Sequence, residues 1–171
     1  GGLGLISSKL SLEGPIVQDN GSIMVSGRRT YLDYIYGLYD PDFSNTDLYF
    51  YDLNMKANYI MGKSDRLYVS GYLGRDAFGI DNVGFDWGNQ TFTARWNHVF
   101  NNKLFVNTSF IYSDFDYGFN LEFANQQVDL DAGIYDYNLK QDYSWFFNSN
   151  NQVDFGWNAI YHQFKPSIFT F

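Results

Sequence analysis

The chain has 171 residues, enough for one domain and too short for a large barrel. Its net charge is −8 and its Lys and Arg are scattered singly, which excludes the basic footprint of a nucleic-acid binder; the absence of cysteine removes disulfides, zinc–thiolate sites and thiol nucleophiles together. Aromatics reach 21% of the residues while proline is limited to three, the balance expected of β structure.

The first predicted strand spans roughly Leu3 to Ile16 and ends in a short connection at Gln18 to Gly21. A strand through Ile23 follows, then a long connection centred on Asp40 to Asn45. From Tyr49 to Met61 the odd positions are Tyr49, Tyr51, Leu53, Met55, Ala57, Tyr59 and Met61, opposed by Asp52, Asn54, Lys56 and Asn58. Side chains of a strand point alternately to two faces, so one face here is greasy and the other polar. After a short turn at Lys63 to Asp65 comes a strand and a second long connection, Asp76 to Gly88. Phe92, Ala94, Trp96 and Phe100 then oppose Asn89, Thr91, Thr93, Arg95 and Asn97.

A three-residue turn at Asn101 to Lys103 predicts that Ala94 pairs with Phe110, Trp96 with Thr108, Arg95 with Ser109 and Asn97 with Asn107. Beyond Tyr112 the parity reverses, with Phe115, Tyr117, Phe119, Leu121 and Phe123 on the positions that were polar; a bulge or a long excursion from Asp114 to Gly133 is expected. A five-residue turn at Asn148 to Gln152 would join Trp145 to Phe155, Tyr143 to Trp157, Leu139 to Tyr161 and Asn138 to His162. The last strand carries Val153, Phe155, Trp157, Ala159 and Tyr161 against Asp154, Asn158 and His162.

About eight strands, with short and long connections alternating, are the signature of an antiparallel transmembrane β-barrel. No run of apolar residues is long enough for a membrane helix, and strands hide their apolar face in alternation. The charges Lys9, Glu13, Arg28, Asp52, Lys56 and Arg95 fall on the polar face, as in a wet or protein-plugged lumen; Tyr49, Tyr51, Tyr59, Trp96, Trp145 and Trp157 collect toward strand ends, as interfacial girdles do. With short turns at the periplasmic rim, the chain begins and ends outside the cell. The 171 residues then read as an internal piece of a larger barrel.

The stretch Gly4 to Ile16 with its Glu13-Gly14-Pro15, followed by Ser26-Gly27-Arg28-Arg29-Thr30-Tyr31, resembles the early barrel strands of TonB-dependent outer-membrane receptors, most of all their starch-utilisation (SusC-like) branch. Asp136 to Asp142, Val153 to Gly156 and Tyr161 to Pro166 resemble a later strand pair of the same family. The resemblance implies a barrel of about twenty-two strands in the outer membrane of a Gram-negative bacterium. It also implies a plug domain and further strands as partners, an energy-transducing TonB complex, and a surface lipoprotein lid. Residues 1–171 would be one barrel-wall domain of a nutrient importer for glycan, peptide or chelate, without plug or signal peptide.

Glu13 is expected diagonal to Arg28 as a lumenal ion pair. Asp40, Asp42, Asn45 and Asp47 offer spaced oxygens, but lack the turn glycine and distal glutamate of a calcium loop. Asp114 with Asp116, and Asp129 with Asp131, share strand faces without the pocket that acid–base catalysis needs. His98 and His162 are single, the first expected in the girdle and the second hydrogen-bonded in the lumen. No phosphate loop or nucleophile elbow is present, so no enzyme, cofactor or metal is expected. Tyr36, Tyr39, Phe43, Phe78, Tyr117 and Phe119 are candidate loop contacts to a ligand, or pack loop on loop. Two other readings stand beside the importer: a complete small eight-stranded outer-membrane barrel with a structural or adhesive role, and a soluble carbohydrate-binding β-sandwich.

Overall fold

The computed structural model describes residues 1–39, 46–123 and 126–170, with side chains excepted at 36–39 and 168–170. Its strands are β1 (Gly2–Leu3), β2 (Ser7–Val17), β3 (Gly21–Thr30), β4 (Asp47–Ile60), β5 (Asp65–Ile80), β6 (Val83–Asn101), β7 (Leu104–Phe123), β8 (Gln126–Asn148) and β9 (Asn151–Thr170); the helix α1 (Leu32–Tyr39) follows β3. All nine strands form one antiparallel meander in chain order, open at β1 and β9. The eight long strands match the expected number. The helix was not expected: it falls just before the long connection, with Asp33 in its first turn where the helix dipole favours a carboxylate.

The short connections all lie at one rim, called here the near rim. Among the far-rim connections, Asp76 to Gly88 proves to be no long loop. β5 runs on to Ile80 and β6 starts at Val83, so the turn is Asp81–Asn82. Asp81 has φ of 50°, the left-handed conformation that two-residue hairpins demand and that Asp tolerates better than most residues. Likewise β7 continues to Phe123 and β8 begins at Gln126, in unbroken register from Leu104↔Trp145 to Phe123↔Gln126. The bulge expected between Phe115 and Ile134 is absent from the β7–β8 ladder, while the β8–β9 ladder carries a register shift between Asp131 and Gly133; the parity reversal itself starts at Phe115, where both ladders are regular.

The β6–β7 register is the predicted one in all four pairs. In β8–β9 the prediction is two residues off: Trp145 pairs with Val153, Tyr143 with Phe155, Leu139 with Ala159 and Asn138 with Ile160. A shift at Phe146/Asn148 tightens that turn to Ser149–Asn150, and because the slip is by an even number both faces stay as read.

The near-rim turns descend like a staircase across the sheet. Gly21, the first residue of β3, lies in one hydrogen-bonded row with Tyr59, Leu67, Trp96, Thr108, Gln141 and Trp157. By β8 the turn has moved to Asn148, seven residues beyond Gln141 and five strands from β3. At about 3.3 Å per residue and 4.8 Å per strand, that stagger corresponds to strands tilted by about 45° from the axis of the surface they form. A barrel wall has this stagger. The sheet is therefore barrel-like, though not closed on itself.

Among the described residues no second layer covers either face of the sheet. Val106, 3% exposed, is the one buried apolar side chain among the described residues, while Leu53, Phe92, Trp145 and Trp157 are all between 37% and 47% exposed.

Candidate ligand-facing surface

Pairing fixes which residues share a face. On one face, called A, the near-rim half is apolar: Leu10 and Leu12 on β2, Ile23 and Val25 on β3, Leu53 and Met55 on β4, Leu67 and Val69 on β5, Phe92 and Trp96 on β6, Val106 and Phe110 on β7, Leu139 and Trp145 on β8, Val153 and Phe155 on β9. On β6 to β9 this belt runs Phe92–Phe100, Leu104–Tyr112, Tyr137–Trp145 and Val153–Tyr161, nine residues each time. Polar side chains inside it are mutually satisfied. The Gln141 amide donates to Thr108 Oγ1 at 3.1 Å, and its carbonyl accepts from Trp157 Nε1 at 3.0 Å and from the Tyr143 hydroxyl at 3.1 Å. Near the rim, Asp65 accepts from Trp96 Nε1 at 2.8 Å and meets His98 Nδ1 at 2.7 Å, which places His98 at the belt's edge as expected.

Above the belt both faces exchange character, with register unbroken from β5 to β8 and one shift, between Asp131 and Gly133, in the β8–β9 ladder. Face A turns acidic, with Asp86, Asp114, Asp116, Glu122, Asp129 and Asp131. One row reads Arg75, Gly88, Asp116, Gly133, Lys165, charged residues alternating with glycines. The glycines make room: a Cβ at Gly88 would lie 3.0 Å from Asp116 Oδ1, and one at Gly133 2.9 Å from the Phe115 carbonyl. Arg75 reaches Asp116 at 3.4 Å and also pairs with Asp86. Partial burial opposes the Arg75 charge, but the two carboxylates outweigh it and its pKa is raised. The Lys165 ammonium donates to the Tyr135 hydroxyl and, with Asp114 and Asp116 near, its pKa is raised as well.

The opposite face, B, is polar in its near-rim half and aromatic above. Its lower half holds Lys9, Glu13, Arg28, Asp52, Lys56, Arg66, Arg95, Lys140, Asp142 and Asp154, separated by Asn, Ser and Thr. The predicted Glu13–Arg28 pair does not form, because register puts Glu13 opposite Met24 and Arg28 opposite Lys9 and Asp52. Arg28 instead donates from Nε to Asp52 Oδ2 at 2.7 Å and lies 4.7 Å from the Phe50 ring. A cleft of about 820 Å³ opens here between Gly1 to Leu3, Lys9, Arg28 and Asp52. Lys140 meets Asp142 at 2.9 Å. His162 lies on this face against Asp136, hydrogen-bonded as predicted.

In the upper half of face B, Phe78 and Ile80 of β5 meet Phe85 and Val83 of β6, and these continue through Trp87, Tyr117, Phe119 and Leu121 to Leu130 and Ile134. Phe85 and Trp87 stand 5.1 Å apart. Phe78, Tyr117 and Phe119, expected in loops, are therefore strand residues of one aromatic surface. Tyr36 and Tyr39 fall within α1, while Asp40, Asp42, Phe43 and Asn45 lie outside the described residues. Among the described residues no group of three His, Cys, Asp or Glu could hold a metal ion. Sequence reasoning missed Arg66, Phe85 and Trp87 as members of these surfaces; their parity was visible, but the assumption of a loop after Asp76 hid it for the last two.

Set against protein-family models, curated proteins and solved structures, the chain has no match.

Proposed function

We propose that this chain forms part of the wall of an outer-membrane β-barrel that imports nutrients, and that it belongs with importers of the TonB-dependent kind. The observation that carries the membrane reading is the apolar belt of face A. Nine residues tilted by about 45° rise about 21 Å, close to the roughly 25 Å apolar band of outer-membrane barrels. The exchange of polarity above it supports the same reading. Once the strands leave hydrocarbon, face A meets water and becomes acidic, while face B can carry aromatics around a mouth that leads to a polar lumen. The importer reading rests on the sequence resemblance and on those exposed aromatics, a surface able to stack on sugar rings or pack against apolar solutes. In hydrocarbon an open sheet edge is not tolerated, so the edges at β1 and β9 take strand partners in lipid, from further strands or from another copy of the chain.

Tryptophan depth tests the membrane reading. Variants that keep one of the four tryptophans are reconstituted in vesicles containing brominated phospholipid. Fluorescence of Trp96, Trp145 and Trp157 is expected to be quenched, and that of Trp87, above the belt and on face B, to be spared. Equal quenching of all four, or of none, overturns the reading. The import reading predicts that uptake by intact cells stops when the inner-membrane proton gradient is discharged; undiminished uptake counts against it.

A further inference from the structure

The protein is acidic, yet six of its eleven Lys and Arg lie on face B: Lys9, Arg28, Lys56, Arg66, Arg95 and Lys140. Two of these are neutralised, Arg28 by Asp52 at 2.7 Å and Lys140 by Asp142 at 2.9 Å. Lys9, Lys56, Arg66 and Arg95 are exposed and make no ion pair with the described residues; Lys9 stands apart on β2, and the other three lie together on β4, β5 and β6. Glu13 shares the Lys56 row but is separated from it by Met24.

Register sets how these three cations are spaced. Asn58, Tyr68 and Arg95 form one row; Arg66 stands one residue pair below Tyr68 on β5, and Lys56 one pair above Asn58 on β4. Arg66 and Arg95 are thus diagonal neighbours at about 7–8 Å, and Lys56 lies about 12 Å from Arg95 across the Tyr68 ring. Around them face B offers uncharged hydrogen-bonding groups, Ser70, Thr93, Asn97 and Asn107. The Arg95 guanidinium sits 6.0 Å from the centre of the Tyr68 ring, so that ring lines the same strip.

We propose that Lys56, Arg66 and Arg95 form a binding strip for an extended solute carrying several anionic groups, such as a sulfated oligosaccharide or a carboxylate-rich peptide. Fixed basic side chains on a pore-facing wall select anions in this way. The proposal uses the barrel reading only to put face B in the lumen, and the binding assay below does not depend on lipid depth.

The full chain, refolded in an uncharged polyoxyethylene detergent, is titrated calorimetrically with a sulfated hexasaccharide, with hexaglutamate and with neutral maltohexaose. At least one of the two polyanions should bind, and which one does identifies the source of the charge. Lys56→Gln, Arg66→Gln and Arg95→Gln should each weaken that binding about tenfold, and the triple variant should abolish it. Raising the salt from low to high should weaken the polyanion and leave any neutral-sugar signal unchanged. Circular dichroism of each variant checks that the sheet is intact, and Arg95→Lys, which keeps the charge, should retain most of the affinity. Binding of neither polyanion, equal binding of maltohexaose, or an unchanged triple variant overturns the proposal, while the tryptophan quenching pattern would still stand or fall by itself.

Discussion

Ala94 and Thr93 are neighbours on β6 with opposite fates. Ala94 lies in the apolar belt between Val69 and Phe110, and Thr93 on the polar face between Ser70 and Ile111. On the proposed membrane reading a charge in the belt has to be stripped of water, whereas on the polar face it keeps hydration. Ala94→Arg is therefore expected to cost about 2 kcal/mol or more in urea titrations of the protein folded into lipid vesicles, and Thr93→Arg to stay within about 0.5 kcal/mol. Comparable losses at both positions would remove the face assignment. Gln141 argues the same point from the polar side. It faces the belt yet makes three hydrogen bonds, so Gln141→Leu, though more apolar, strands the Trp157 indole N–H and the Thr108 hydroxyl, and should destabilise by about 1 kcal/mol in the same titration. A gain in stability would mean that the trio is dispensable.

The elements show which parts of a strand pattern survive without a structure. Parity was legible wherever each face kept one polarity, so the β6–β7 pairs followed from the sequence directly. It misled where the polarity of a face changes part-way along a strand. The reversal after Tyr112 then resembled a bulge, and Asp76 to Gly88 resembled a loop, although both are continuous ladder. Turn chemistry would have been the better guide at the far rim, since Asp81 and Asn82 belong to the non-glycine types that best tolerate positive φ, and Asp81 adopts it. That turn carries its own prediction. Val at position 81 would be forced into the left-handed region, so Asp81→Val should cost about 1–2 kcal/mol locally and Asp81→Gly almost nothing. Hydrogen exchange at the Ile80 and Val83 amides reads this directly: faster exchange in the valine variant only is the expected result, and equal protection in both would show that the turn does not hold the hairpin. Register was the least legible feature. The expected Glu13–Arg28 pair and the β8–β9 offset both depended on turn lengths, which the irregularities at Pro15/Val17 and Phe146/Asn148 alter by residues that no periodicity marks.

Taken whole, the molecule is a single layer, and a single layer cannot be stable in water by itself. Domains bury the apolar side of a sheet against a second layer, and here Val106 is the one buried apolar side chain among the described residues, while belt residues such as Phe92 and Phe110 and face-B aromatics such as Phe85 remain about 40% exposed. The backbone ladders satisfy hydrogen bonds within the sheet, but their net contribution is small compared with the entropy of ordering so many residues. Something outside the described sheet must therefore supply the missing apolar contact, and on the proposed reading hydrocarbon does so for face A. Folding should then depend on amphiphile. Diluted from urea into detergent or lipid vesicles, the chain is expected to gain its β circular-dichroism signal and run as a defined species, whereas into plain buffer it should aggregate. A monodisperse, cooperatively unfolding protein in buffer alone, with Leu53, Ala94 and Trp157 protected from water, would turn face A into a core and make the sandwich the correct architecture.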